Sequence, residues 1–175
     1  MVYQFKITTT EIPDYILIVE LDGKHTFADL HICIQQACGF NPDQLASFFI
    51  AGTKCGRQIE ITQLDLGFDG INQFIMKRTP LQALLNHENQ KMLYVFDFFM
   101  DRLFFIELTL IFMGKSLSEP SVTFKKGNAP SQLLEEEELL TQESEVKNQE
   151  ECLDYGDLDD YTEIFGEMED LTGGL

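Results

Sequence analysis

Residues 3–9 and 15–21, Tyr-Gln-Phe-Lys-Ile-Thr-Thr and Tyr-Ile-Leu-Ile-Val-Glu-Leu, are rich in β-branched and aromatic side chains and flank a Pro13-Asp14 turn signal, which predicts two antiparallel strands. From Thr26 the period changes. Phe27, Leu30, Ile34 and Cys38 recur at three- and four-residue steps, Thr26 stands as an N-cap with Asp29 three residues on, and Gly39 supplies a stop. An amphipathic helix over 27–38, packed on the sheet, is the expectation. After the turn Asn41-Pro42-Asp43, the run Ser47–Ala51 reads as a third strand. The opening order strand, strand, helix, strand suits a β-grasp-like core.

A loop-rich stretch punctuated by Gly52, Gly56, Gly67 and Gly70 follows. Thr79 can cap and Pro80 can begin a short helix reaching about His87. Lys91–Asp97 and Arg102–Ile111 then predict a long hairpin around Phe98–Asp101, with Phe104, Ile106, Leu108 and Leu110 on one face. This hairpin is placed at the centre of the core. A last strand, Ser121–Lys125, ends at Gly127, Asn128 and Pro130. The reading is therefore an α+β fold with a mixed or antiparallel sheet, a second short helix, a long hairpin and an appended C-terminal tail.

Charge defines the tail. Of the net charge of −18, residues 131–175 carry 16 acidic side chains against the single Lys147, while residues 1–130 are nearly balanced. Three segments follow: a compact domain over 1–130, an acidic linker over 131–156 too poor in apolar surface to offset the entropy of ordering, and an acidic amphipathic helix over 157–175. In that last segment Leu158, Tyr161, Phe165, Met168 and Leu171 fall at three- and four-residue steps between acidic residues, with Asp157 as the cap.

The same charge bears on partners. A phosphate backbone is repelled by the tail, and Lys77-Arg78 and Lys125-Lys126 are too small to form a nucleic-acid footprint, so direct nucleic-acid binding is not expected. The most apolar window, Leu103–Met113, is far shorter than the roughly 20 residues needed to cross a bilayer. The chain opens Met-Val-Tyr-Gln-Phe-Lys-Ile, without the pattern of an export signal, and Cys33, Cys38, Cys55 and Cys152 lie at irregular spacings. These features predict free thiols in a cytoplasmic protein.

The chemistry that these residues permit is thin. His25, His31 and His87 are scattered, and only His31 and Cys38 share a helix face, so no metal site is expected. Asp97 and Asp101 flank a turn and Glu107 interrupts an apolar strand, yet no base, nucleophile and orienting partner assemble around them. Ala51–Arg57 lacks the glycine and Lys-Ser or Lys-Thr spacing of a phosphate loop. No catalytic, metal or cofactor-binding residue is assigned.

Thr26-Phe27-Ala28-Asp29-Leu30-His31, then Gly39-Phe40, Leu45 and Phe48, and later Tyr94-Val95-Phe96-Asp97-Phe98 carry a resemblance in order and spacing. Over roughly residues 1–130 the chain resembles the plasmid pRi open-reading-frame-3-like family, also called insertion-element passenger TnpR-like proteins, as a divergent member. The resemblance implies a single α+β domain of uncharacterised function, and the TnpR label is not evidence of recombinase chemistry. Where the family has Trp and Arg in its second strand, a His-Leu-His after the first helix, and Gly, Trp and His after its Tyr-x-Tyr-Asp-Phe motif, this chain has Ile-Leu-Ile, Gln44-Leu45-Ala46, and Phe99–Phe105 without those types. The family's Cys-Pro-Pro-Glu-Asp-Cys run is replaced by the acidic tail. Any site that those polar residues make in other members is expected to be lost here.

The functional expectation is a non-enzymatic interaction protein with a β-rich scaffold and a tail whose apolar stripe, Leu158 to Leu171, docks on a groove of the domain or of a protein partner. Two alternatives remain open: a small enzyme with an acidic site near Asp97 and Asp101, and an acidic mimic of nucleic acid that occupies a basic protein surface.

Overall fold

In the computed structural model, which describes residues 1–51, 58–65 and 74–134, the first two strands form where their side-chain pattern places them. β1 (Val2–Thr8) pairs antiparallel with β2 (Ile16–Asp22) in the register Phe5↔Val19. Helix α1 (Phe27–Cys38) follows, and both of its ends are held as the sequence predicts. Thr26 and Asp29 make a reciprocal capping box, the Asp29 carboxylate accepting from the Thr26 backbone N–H at 2.7 Å and the Thr26 hydroxyl accepting from the Asp29 N–H at 3.3 Å. At the other end Gly39 takes φ 73°, a left-handed conformation open to glycine at little cost.

The remaining elements are β3 (Ser47–Ala51), β4 (Gln58–Thr62), β5 (Phe74–Ile75), α2 (Leu81–Leu84), β6 (Gln90–Asp97), β7 (Arg102–Phe112) and β8 (Ser121–Lys126). The sheet order is β5-β4-β3-β6-β7-β1-β2-β8. Neighbours pair antiparallel except β4 and β5, which are parallel, so the sheet is mixed and the fold is α+β. The strand-strand-helix-strand opening is present in the chain. In space, β6 and β7 stand between β3 and β1, and β1 pairs antiparallel with β7, so the sheet does not confirm a β-grasp-like arrangement.

One face of the sheet carries the core. Tyr3, Phe5 and Ile7 of β1, Leu17, Val19 and Leu21 of β2, Phe48 and Ile50 of β3, and Tyr94, Phe104 and Ile106 of the hairpin lie buried with Phe27, Leu30 and Ile34 of α1. Full burial of one such side chain stabilises by ~1.5–3 kcal/mol. Phe104 is the aromatic hub: the rings of Tyr15, Phe40, Tyr94 and Phe96 have centroids 5.7, 5.9, 6.3 and 4.9 Å from its own. Phenylalanine and tyrosine fill the space that a chain without tryptophan must fill some other way.

Three details depart from the sequence pattern. Leu110 does not share the buried face of Phe104, Ile106 and Leu108, and is 42% exposed. The register between β7 and β1 slips between Gln4 and Phe5, so that Gln4 meets Leu110 while Phe5 meets Leu108, and the extra residue Thr109 turns its hydroxyl onto the Gln4 carbonyl at 3.0 Å. A bulge of this kind moves every later side chain to the opposite face. Thr79 does not cap α2; its hydroxyl donates to the Ile75 carbonyl at 2.9 Å, and the helix stops at Leu84. β4 and β5 lie in the stretch that the glycines marked as loop, although Ile59 and Ile61 do alternate with Gln58, Glu60 and Thr62.

The compact unit runs over Met1–Leu133. Of the segment read as linker, Ser131 and Gln132 are bonded to this unit, their carbonyls accepting from Arg102 at 2.7 and 3.3 Å.

Candidate functional site

Asp97 and Asp101, the two carboxylates that a catalytic reading would use, sit at the β6–β7 turn. The Asp97 carboxylate accepts from the Phe99 and Met100 backbone N–H groups at 3.0 and 3.3 Å and lies 3.7 Å from the Arg102 guanidinium. Asp101 holds φ 50°, which Asp tolerates better than most residues. Arg102 is itself only 6% exposed. It makes a two-point bond to Glu11, Nε to Oε1 at 3.1 Å and Nη2 to Oε2 at 2.7 Å, and lies 5.1 Å over the Phe96 ring. The planar fork of arginine suits this geometry. The cluster therefore clamps the hairpin, the β1–β2 loop and the segment after β8, and Asp97 is spent on the turn and the clamp. Glu107, in the central strand β7 rather than at an edge, stands across from Lys6 on one side and Lys91 on the other, on the sheet face away from α1.

The buried face of α1 carries a second polar cluster. His31 and Cys38, seven residues apart, each meet a tyrosine hydroxyl, one from β6 and one from the residue before β2: His31 Nδ1 lies 2.8 Å from Tyr94 Oη, and Cys38 Sγ lies 3.1 Å from Tyr15 Oη. Burial pushes the His31 pKa down to about 4, the Cys33 thiol up to about 11, and both phenols upward. Burial also raises the Cys38 pKa, against the opposing pull of Tyr15 and Lys125. An imidazole whose pKa burial lowers and whose Nδ1 is taken up by a buried phenol is a weak base, and thiols whose pKa burial raises supply no thiolate nucleophile. The sequence reading placed His31 and Cys38 on one face but missed the tyrosines; the signal was Tyr94 inside β6 and Tyr15 just before β2, whose hydroxyls need partners when buried.

His25 and His87 are elsewhere, bonded respectively to Asp22 and Ser118 and to the Glu88 carbonyl. Among the described residues no group of three or more His, Cys, Asp or Glu is placed to hold a metal, and every buried side-chain nitrogen and oxygen has a hydrogen-bond partner. Residues 52–57, most of the stretch compared with a phosphate loop, lie outside the described residues, as do Cys152 and the predicted tail residues Leu158, Tyr161, Phe165, Met168 and Leu171.

What the domain offers instead is apolar surface. At the tip of the β6–β7 hairpin Phe98 and Met100 are 47% and 37% exposed and Phe99 is 99% exposed. Phe98 borders a shallow cleft of about 170 Å³ with Leu45 and Leu64. On the sheet face away from α1, Phe49, Leu93 and Phe105 form one cross-strand row. Between α1 and β8 runs a groove of about 460 Å³ that includes Ile32, Cys33 and Val122. Contiguous exposed apolar surface marks interaction sites more often than chemistry.

No helix among the described residues is long and apolar enough to cross a membrane. No curated protein sequence matches the chain. Among solved structures, a protein of unknown function from Methanosarcina mazei Go1 is similar, with 22% sequence identity and a TM-score of 0.60 over 95% of this chain and 90% of that one. That likeness shows a shared fold. The sequence model of the plasmid pRiA4b ORF-3-like protein family matches residues 1–163, well beyond the 130 residues over which the resemblance was first read. By that match, which covers nearly the whole chain, the protein belongs to the plasmid pRiA4b ORF-3-like family.

Proposed function

We propose that this chain is a non-enzymatic, cytoplasmic interaction protein in which the β-rich domain is a scaffold and the acidic C-terminal segment docks on a groove of a protein partner. The observation that carries the reading is the stripe Leu158, Tyr161, Phe165, Met168 and Leu171, apolar positions at helical spacing within a segment that is otherwise strongly acidic. A tail that only solubilised the domain would need no such stripe. Two features of the domain support the reading: the polar groups that a catalytic site would use are engaged in turns and in the core, and apolar side chains such as Phe99 stand free at its surface.

The test compares the full chain with a chain ending at Leu133 and with the full-length variant Leu158→Asp/Phe165→Asp. The cut follows Leu133 because Ser131 and Gln132 are bonded to Arg102. The expected result is an unchanged thermal unfolding midpoint in both altered proteins and loss of partner capture in both. Collapse of the fold on truncation would make the stripe part of the core and remove the proposal. Capture that persists as salt is raised supports apolar docking, whereas capture lost with salt indicates the acidic mimic, because exposed charge attraction is screened within about 8 Å at physiological ionic strength.

A further inference from the structure

Leu45, Leu64, Phe98, Phe99 and Met100 bring exposed apolar surface to one corner of the domain, where the β6–β7 turn meets the loop before β3 and the segment after β4. Gln132 ties that loop to the hairpin: its side-chain amide donates to the Asn41 carbonyl at 3.1 Å, and its own carbonyl accepts from Arg102 at 3.3 Å. The turn itself is held from within. The Asp97 carboxylate takes the Phe99 and Met100 N–H groups, Arg102 stands against that carboxylate, and Asp101 closes the turn at φ 50°. Phe99 is therefore presented to solvent, 99% exposed, on a backbone whose shape is already set. A side chain displayed this way costs little further backbone ordering when a partner covers it. Beside it lies the cleft of about 170 Å³ bordered by Leu45, Leu64 and Phe98, room for one apolar side chain from outside.

Charge decides what fits here. Asp43 stands two residues before Leu45, Glu60 borders the cleft, and Asp101 follows Met100. None of these three carboxylates has an ion pair among the described residues. The arginines that reach the corner are already engaged, Arg102 with Glu11 and Asp97, and Arg78 with Asp65. The rim of the apolar patch is therefore acidic. Such a rim is a poor match for the acidic segment after residue 134, and equally for the same rim of a second copy, because like charges set against each other oppose docking. It suits apolar residues flanked by lysine or arginine.

We propose that the β6–β7 turn and the cleft beside it form a docking site for a basic amphipathic segment of a protein partner. Phe99 packs into the apolar face of that segment, one of the segment's apolar side chains fills the cleft, and its lysines or arginines meet Asp43, Glu60 and Asp101. Binding energy concentrates at the central aromatic, while the charged rim sets which partners are accepted. This site is on the domain, and it does not rest on the tail reading given above.

The full chain is titrated at moderate salt with an amphipathic helical peptide of leucine and lysine, and with the same peptide carrying glutamate for lysine, while backbone amides are followed by NMR. The expected result is saturable shifts at residues 45, 64 and 98–101 with the lysine peptide and none there with the glutamate peptide. Phe99→Ser weakens this binding about thirtyfold, the affinity equivalent of burying one phenylalanine ring, and leaves thermal unfolding unchanged because the ring is exposed. Asp43→Asn, Glu60→Gln and Asp101→Asn each weaken it about threefold, asparagine being tolerated at the positive φ of position 101. Leu158→Asp/Phe165→Asp leaves these shifts in place, so a failure of the tail reading and a failure of this one are read separately. Absence of shifts at the corner overturns the proposal, as does equal binding of the two peptides or binding indifferent to Phe99→Ser. Shifts at 98–101 that follow protein concentration alone give the corner to a second copy, and shifts with phosphatidylcholine vesicles but not with the lysine peptide give it to a membrane surface; either result overturns the proposal.

Discussion

Arg102 and His31 are the residues whose burial has the clearest consequences. Replacing Arg102 by Ala leaves Glu11 and two carbonyls without their donor in a site where the guanidinium was only 6% exposed. Breaking a buried pair from one side costs about 3–5 kcal/mol. Because Glu11 is partly exposed, the lower end is expected, measured as the shift in urea midpoint, and Arg102→Lys recovers only part of it, since lysine has no fork to bond both Glu11 oxygens. For His31, burial lowers the folded pKa to about 4, against about 6.5 in the unfolded chain. The folded state thus prefers the neutral ring. The stability this confers is complete above about pH 6.5 and is lost as the pH falls from there toward 4. Glu20, held ionised chiefly by Lys115, and Asp22, held chiefly by the Lys24 N–H, are lowered from ordinary carboxylate values and act at more acid pH. Urea unfolding at pH 7 and pH 5 therefore isolates His31: the wild type is expected to lose stability between them, and His31→Gln, which keeps a hydrogen-bonding group for Tyr94, to lose much less. Equal losses in both proteins would assign the effect to other groups.

At the scale of elements, α1 is the one whose local signals and packing agree. Its capping box, its apolar spacing and its glycine stop were all legible, because each depends on residues within a few positions of one another. Thr26→Ala is expected to cost about 1 kcal/mol through loss of the N-cap. Gly39→Ala, at φ 73°, is expected to cost about 1–2 kcal/mol from the left-handed conformation, since an added Cβ meets nothing within 4 Å. Thermal unfolding of the two single variants and of the double variant checks both, with additivity expected because the sites are a helix length apart. β4 and β5 were harder to read. Their neighbours are glycine-rich, β5 has two residues, and it is held by parallel pairing to β4, which no local pattern announces. The bulges at Thr109 and Thr123 were likewise invisible, since a bulge is defined by the partner strand.

For the whole molecule, the division of charge matters most. Nearly all of the net charge of −18 belongs to residues 131–175, so the domain and the tail answer differently to salt. At moderate ionic strength the full chain and the chain ending at Leu133 are expected to melt alike, whereas at low salt the full chain is expected to melt lower, because the tail's charge is then unscreened. Parallel melts at low and moderate salt measure this; identical salt responses would show that the tail's charge does not bear on folding. The candidate site divides in the same way. That His31 and Cys38 share a face followed from helical period alone, and that Asp97 and Asp101 belong to a turn followed from their positions around Phe98–Met100. That Arg102 binds both Glu11 and residues 131–132, and that Tyr94 and Tyr15 reach α1, depended on contacts between positions tens of residues apart.

The sequence by itself therefore determined the α+β class, the helix with both of its caps, the central hairpin, the acidity of the C-terminal segment and the family resemblance. Each of these is written in short-range period, in turn chemistry or in composition, which survive without knowledge of neighbours. Only the tertiary structure decided the sheet order, with β6 and β7 between β3 and β1, the faces that follow the bulges, the partners of the buried polar groups, and the exposure of β8 and Ile32 at one edge. Strand pairing and burial are set by competition among segments distant in the chain, and the winner is the arrangement that buries the most apolar surface with the fewest unpaired polar groups.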